Sequence, residues 1–271
     1  MKNMSLKNAK RIVFKVGTST LTHQNGKPDF KTIDQLARIL SDLKNDERQV
    51  VLVSSGAIAV GVDRMGLTQK PDTVAGKQAA AAIGQCELMF IYDKFFSEYN
   101  KTVAQVLITR DVVETVDGKQ NVVNTLEELL RYDAIPIVNE NDTVATDEIL
   151  TNDIFGDNDT LSAIVADCVR ADLLVIITDI DGLYDKNPKE HADARKINIV
   201  REVTPALFET AGGAGTWRGT GGMVTKLQAA QIAMQAGVDM AIISGQNLDD
   251  IYRLLDGENI GTVFQAPGSV Q

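Results

Sequence analysis

The sequence predicts an α/β protein: a three-layer α/β/α sandwich with a largely parallel central sheet. Three observations carry this. Short apolar runs that suit strands alternate with longer apolar or amphipathic runs that suit helices, from Arg11 to Phe264. The turns between them are short, so parallel strands must be joined by crossover helices, which then cover both faces of the sheet. No linker, repeat or shift in composition interrupts the alternation, so residues 1–271 are expected to form a single domain.

Each element follows from its residues. Arg11 to Val16 (R-I-V-F-K-V) reads as a strand. Lys15, near its end, either points to solvent or meets a phosphate beside the donor-rich turn Gly17-Thr18-Ser19-Thr20. Asn25 to Pro28 reads as a turn. Phe30 to Asn45 reads as an amphipathic helix with Ile33, Leu36, Ala37, Leu40 and Leu43 on one face. Gln49 to Val53 is the next strand. It runs into Ser54-Ser55-Gly56-Ala57-Ile58-Ala59, where small residues either admit a ligand to the backbone or let helix and strand pack tightly. A long helix is expected from Val74 to Tyr99. Its Ala79 to Ala82 run suits close packing, and Leu88, Phe90, Ile91, Phe95 and Phe96 suit a subunit interface. Thr102 to Thr109 is a strand, Asn121 to Tyr132 a helix and Ala134 to Val138 a strand.

Asn158 or Asp159 is expected to cap a helix carrying Leu161, Ile164, Val165 and Cys168. Asp172 to Ile177 is a buried strand that delivers Thr178 and Asp179 at its C-terminal end. Lys189 to Val203 reads as irregular and polar. A Gly-rich run, Ala211 to Gly222, leads into a helix reaching about Ala236. It is either a flexible surface loop or an anion site with Lys226 in the early helical turns. It is neither a Walker loop nor a G-x-G-x-x-G turn. Val238 to Ile243 is a strand, Asn247 to Leu255 a short helix and Gly261 to Phe264 a last strand.

Between Val138 and Ala166 the chain gathers Glu140, Asp142, Asp147, Glu148, Asp153, Asp157 and Asp159 around Asn139, Asn141, Asn152 and Asn158. These clusters sit where a strand exits and a helix starts, the edge of an α/β sheet at which ligands bind. Carboxylates beside amides suit a ligand bearing both an amino group and a carboxylate.

A net charge of −10 and a pI near 4.8 argue against nucleic-acid binding. An anionic substrate would need lysines or a metal placed locally against that field. The two histidines, His23 and His191, lie in polar, turn-like surroundings, so a histidine triad or histidine metal site is not expected. Cys86 and Cys168 are expected in helices as core thiols of a reducing compartment. Met1 to Lys10 is basic without an apolar segment, and no apolar run reaches membrane-spanning length, so a cytoplasmic protein is expected.

F-K-V-G-T-S, V-S-S-G-A-I-A, I-V-N-E-N-D with G-D-N-D, and T-D-I-D-G-L-Y with T-G-G-M-V-T-K-L-Q-A-A occur together in one order. This set resembles the amino acid kinase family over nearly the whole chain, from about Arg11 to Phe264. The resemblance implies ATP-dependent phosphorylation of the γ-carboxylate of L-glutamate, with Mg2+, in proline synthesis. It implies that Lys15 contacts the ATP phosphates and that Ser55, Asp142 and Asn158 bind glutamate. It further implies that Gly17, Gly56 and Ala57 supply backbone donors and that Asp159 orients Lys15 and Lys226. Thr178, Asp179 and the segment Thr220, Gly221, Gly222, Met223, Val224, Thr225 and Lys226 would bind ATP. Expected partners are L-proline as feedback inhibitor, glutamyl phosphate reductase and further copies of the chain, as a dimer or tetramer. Many such kinases carry a C-terminal PUA domain, and the resemblance here is to a form without it. The chemistry is self-consistent: a carboxylate of pKa about 4.3 is already ionised and needs no base. The difficulty is repulsion between anions, which placed lysines answer.

Overall fold

The computed structural model describes residues 4–145, 158–188, 190–212 and 222–268. The chain opens with a short helix, α1 (Met4–Lys7), and strand β1 (Arg11–Val16). Packing divides it into two compact units, Phe14–Asn158 and Met1–Val13 with Asp159–Gln271, and the division falls within β1.

In the unit Phe14–Asn158 the strands are β2 (Gln49–Ser54), β3 (Val103–Ile108) and β4 (Ile135–Glu140) with the end of β1, in the order β3-β4-β2-β1. β3 and β2 both run parallel to β4, with Val103 opposite Ile135 and Leu52 opposite Ile137. Its helices are α2 (Thr18–Leu21), α3 (Phe30–Asn45), α4 (Ala57–Arg64), α5 (Val74–Glu98), α6 (Arg110–Glu114) and α7 (Val116–Arg131). α3 forms as its apolar spacing predicts and buries Ile33, Leu36, Ala37, Leu40 and Leu43. Asp29 caps it by accepting the Thr32 amide at 3.1 Å. Thr115 caps α7 by accepting the Gly118 amide, which starts this helix five residues earlier than the predicted Asn121.

α4, not expected as a helix, crosses α5 at two glycines. A Cβ on Gly61 would stand 1.8 Å from the Ala80 carbonyl oxygen, and one on Gly84 1.7 Å from that of Ala57. Only glycine permits that approach.

In the other unit the elements are α8 (Asn158–Cys168), β5 (Leu173–Thr178), β6 (Leu183–Tyr184), β7 (Lys196–Ile197), β8 (Ile199–Val200), α9 (Pro205–Gly212), α10 (Gly222–Gln235), β9 (Asp239–Ser244), α11 (Asp250–Leu255) and β10 (Thr262–Phe264). The strand order is β1-β5-β9-β10-β8. β5–β9 and β8–β10 are parallel, and β9–β10 is antiparallel. Every residue of β5 is buried, as a strand covered by helices on both faces requires. The central sheet is thus largely parallel and flanked by helices, as the alternation predicts.

Two expectations are corrected. The stretch Lys189 to Val203 is not irregular throughout. It carries β8 and also β7, which pairs with β6 in an antiparallel ribbon; both are too short, at two residues, to show a period. Cys168 is buried in α8, but Cys86 is exposed on α5. No helix among the described residues is long and apolar enough to cross a membrane.

Candidate active site

Within the unit Phe14–Asn158 the strand ends converge on a cavity of about 710 Å³. β1 delivers Lys15, with Gly17 just beyond its end; the β2–α4 turn delivers Ser55 and Gly56, the start of α4 delivers Ala57, and the segment after β4 delivers Asp142. Asn158 completes the wall from the start of α8. Lys15 is 6% exposed, so the reading in which it points to solvent is excluded. Gly56 has φ +100°, in the region that favours glycine, and this lets the chain turn from strand into α4. Gly17, by contrast, lies in extended backbone that any residue could adopt. Asn25 and Lys70, from outer loops that sequence reasoning did not single out, also line the cavity.

Beneath the cavity is a buried polar relay. Asn158 Nδ2 donates to Ser55 Oγ at 2.8 Å, to Asn139 Oδ1 at 3.1 Å and, more distantly, to the Ser54 carbonyl at 3.3 Å. Asn139 Nδ2 donates in turn to Gln85 Oε1 at 2.9 Å. Ser54 Oγ gives its proton to the Ser55 carbonyl at 3.1 Å, so Tyr92, 2.8 Å away, must donate to Ser54. Burial pushes the Tyr92 phenol well above its ordinary pKa. Asn139, gathered by sequence reasoning into the cluster at the strand exit, is therefore a support, and so are Gln85 and Tyr92, which sequence reasoning did not assign to the site. The one sign of Gln85 is a lone amide after the alanine run and Gly84 of α5.

A second cluster lies in the other unit. Asp159, fully buried, accepts from Lys226 Nζ at 3.0 Å and from Thr225 Oγ1 at 3.1 Å through the same oxygen, Oδ2. Lys226 Nζ also donates to the Gly222 carbonyl at 2.8 Å, folding the side chain back over the first turn of α10. Met223 and Val224 occupy that turn. Thr178 ends β5, its hydroxyl donating to Asp179 Oδ1 at 3.1 Å and its carbonyl accepting the Gly245 amide at 2.7 Å. Thr220 and Gly221, most of the Gly-rich run, and the acidic residues Asp147, Glu148, Asp153 and Asp157 lie outside the described residues. Among the described residues no group of three or more His, Cys, Asp or Glu is placed to hold a metal ion.

A family model, that of the amino acid kinase family, matches residues 10–244. The chain belongs to the amino acid kinase family. Among curated relatives it is 54% identical to the glutamate 5-kinase of Clostridium perfringens over 262 residues, 97% of each chain. It is 51% identical to that of Listeria monocytogenes, covering 96% of this chain and 94% of the relative. To the glutamate 5-kinase of Ligilactobacillus salivarius it is 48% identical, over 97% of this chain and 99% of the relative. Among solved structures, isopentenyl phosphate kinase of T. acidophilum superposes with a TM-score of 0.63 at 16% identity, covering 94% of this chain and all of that one. At that identity the likeness shows the shared fold alone. This amino acid kinase thus carries, within one unit, a polar cavity backed by amides and, within the other, a buried lysine–aspartate pair.

Proposed function

We propose that the chain is a glutamate 5-kinase, transferring the γ-phosphoryl group of ATP to the γ-carboxylate of L-glutamate. The product, L-glutamyl 5-phosphate, is the first intermediate of proline synthesis from glutamate. The observation that carries this is the 54% identity to a curated glutamate 5-kinase across 97% of both chains. The cavity chemistry supports it: a free amino acid brings an ammonium, which suits Asp142 and the Asn158 carbonyl, and carboxylates, which suit Ser55 and the backbone donors at Gly56 and Ala57.

In this reading Lys15 contacts the phosphates and Lys226 neutralises charge on the transferring group and departing ADP. Asp159 holds Lys226, while Gly17, Thr178, Asp179 and the first turn of α10 serve the nucleotide. The γ-carboxylate oxygen attacks phosphorus, the bond from phosphorus to the ADP oxygen breaks, and no proton need move. Mg2+ enters with ATP as part of the substrate, held by the phosphates and by water.

The reading extends to L-proline as feedback inhibitor, to association with glutamyl phosphate reductase, and to a cytoplasmic homo-oligomer, a dimer or tetramer. Of the α5 residues expected at a subunit interface, Leu88, Ile91 and Phe96 are instead buried within the chain, and Phe90 is 63% exposed and open to that assembly. A hydroxamate assay with ATP, Mg2+ and L-glutamate, with proline present or absent, tests the proposal. Glutamate-dependent hydroxamate and ADP are expected. ADP formation that ignores glutamate, or prefers aspartate, acetylglutamate, carbamate or isopentenyl phosphate, would overturn it.

A further inference from the structure

We infer that Gln85 is a positioning residue for amino-acid recognition, acting through Asn139 to fix which face of the Asn158 amide meets the substrate. The inference rests on the proposed function above and deepens it.

The polarity of the relay follows from chemistry. A backbone carbonyl can only accept, so the Asn158 atom turned toward the Ser54 carbonyl must be nitrogen. The Asn139 atom facing that nitrogen must then be oxygen, and the remaining Asn139 atom is a nitrogen that needs an acceptor. Asn139 is only 2% exposed, so water cannot readily provide one. Gln85 Oε1 does, at 2.9 Å, from a side chain that is itself 8% exposed. With both Asn158 N–H groups held by Ser55, Asn139 and Ser54, the part of Asn158 left for a ligand is its oxygen, Oδ1. The cavity therefore offers an acceptor, matched to the ammonium of a free amino acid. Without the Gln85 acceptor, a buried Asn139 donor is orphaned. The Asn139 amide then turns over to seek a partner, and its bond to Asn158 is lost.

The test uses Gln85→Met, which removes the acceptor at similar volume. It should raise the glutamate KM about tenfold, the scale of one buried hydrogen bond, with kcat and the ATP KM within about twofold of the parent. If Gln85→Met does not fold, Gln85→Asn, whose amide is drawn back by one methylene, must show the same rise. An unchanged glutamate KM in the variant lacking the acceptor, or a parallel rise in the ATP KM, overturns the inference. Failure of the parent enzyme to turn over glutamate at all would instead overturn the proposed function.

Discussion

Gly84 of α5 lies against Ala57 of α4 so closely that a methyl group on it would stand 1.7 Å from the Ala57 carbonyl oxygen. Ala57 lines the cavity, so the crossing of these helices sets the position of the turn that enters α4. Gly84→Ala should force the helices apart at a cost of about 1–3 kcal/mol and raise the glutamate KM together with the loss of stability. Thermal melts and glutamate titrations would check this; a variant with the parental Tm and KM would show that the crossing is not constrained.

Lys226 spends two of its three N–H bonds inside the protein, on Asp159 and on the Gly222 carbonyl. At most one donor is left for the phosphate that the proposed function brings to it. Lys226→Ala should lower kcat about 100-fold or more while the fold persists. Lys226→Arg should not restore it, because a planar fork cannot occupy the same three directions. Lys15→Ala should lower kcat similarly. Turnover measured by ADP release decides, and near-parental turnover in either alanine variant would remove that lysine from the mechanism.

Asp142 is one of the carboxylates lining the cavity, and in the proposed function it pairs with the substrate ammonium. A charge-assisted bond of this kind is worth about 1.5–3 kcal/mol, so Asp142→Ala should raise the glutamate KM roughly 10- to 100-fold. The ATP KM should barely move. A parallel rise in both constants would point to general damage instead.

Tyr92 is fully buried, and its phenol is held well above the usual pKa of about 10 by that burial. The neutral form is thus favoured by folding. Its contribution is complete below about pH 10 and is lost as pH rises further. Tyr92→Phe should cost about 1 kcal/mol at neutral pH through the lost bond to Ser54, yet decline less steeply on the alkaline side. Denaturant midpoints from pH 8 to 11 would reveal the two slopes; parallel curves would show that Tyr92 does not titrate in unfolding.

What the sequence disclosed depended on period and on local chemistry. β1 and α3 could be read to the residue, because R-I-V-F-K-V is a compact apolar run and the spacing Ile33, Leu36, Ala37, Leu40, Leu43 is a strong repeat. α2 and α4 could not, since four or eight residues rich in Thr, Ser, Gly and Ala carry too little pattern. The cavity residues Ser55, Gly56, Asp142 and Asn158 were visible as polar or small residues at strand and helix ends. Gln85 and Tyr92 were not, because their partners Asn139 and Ser54 are 54 and 38 positions away in sequence. Such pairings exist only once the sheet has formed.

α5 meets its neighbours through Gly84, Gln85 and Tyr92, and the last two are about two helical turns apart. Their phase around the helix is therefore fixed. A single residue inserted between them would rotate everything beyond it by about 100°, so that the amide and the phenol could no longer face the same strand ends together. Substitutions on the outer side of α5, at Phe90 for instance, leave that phase intact. The helix should accordingly vary in composition far more readily than in length.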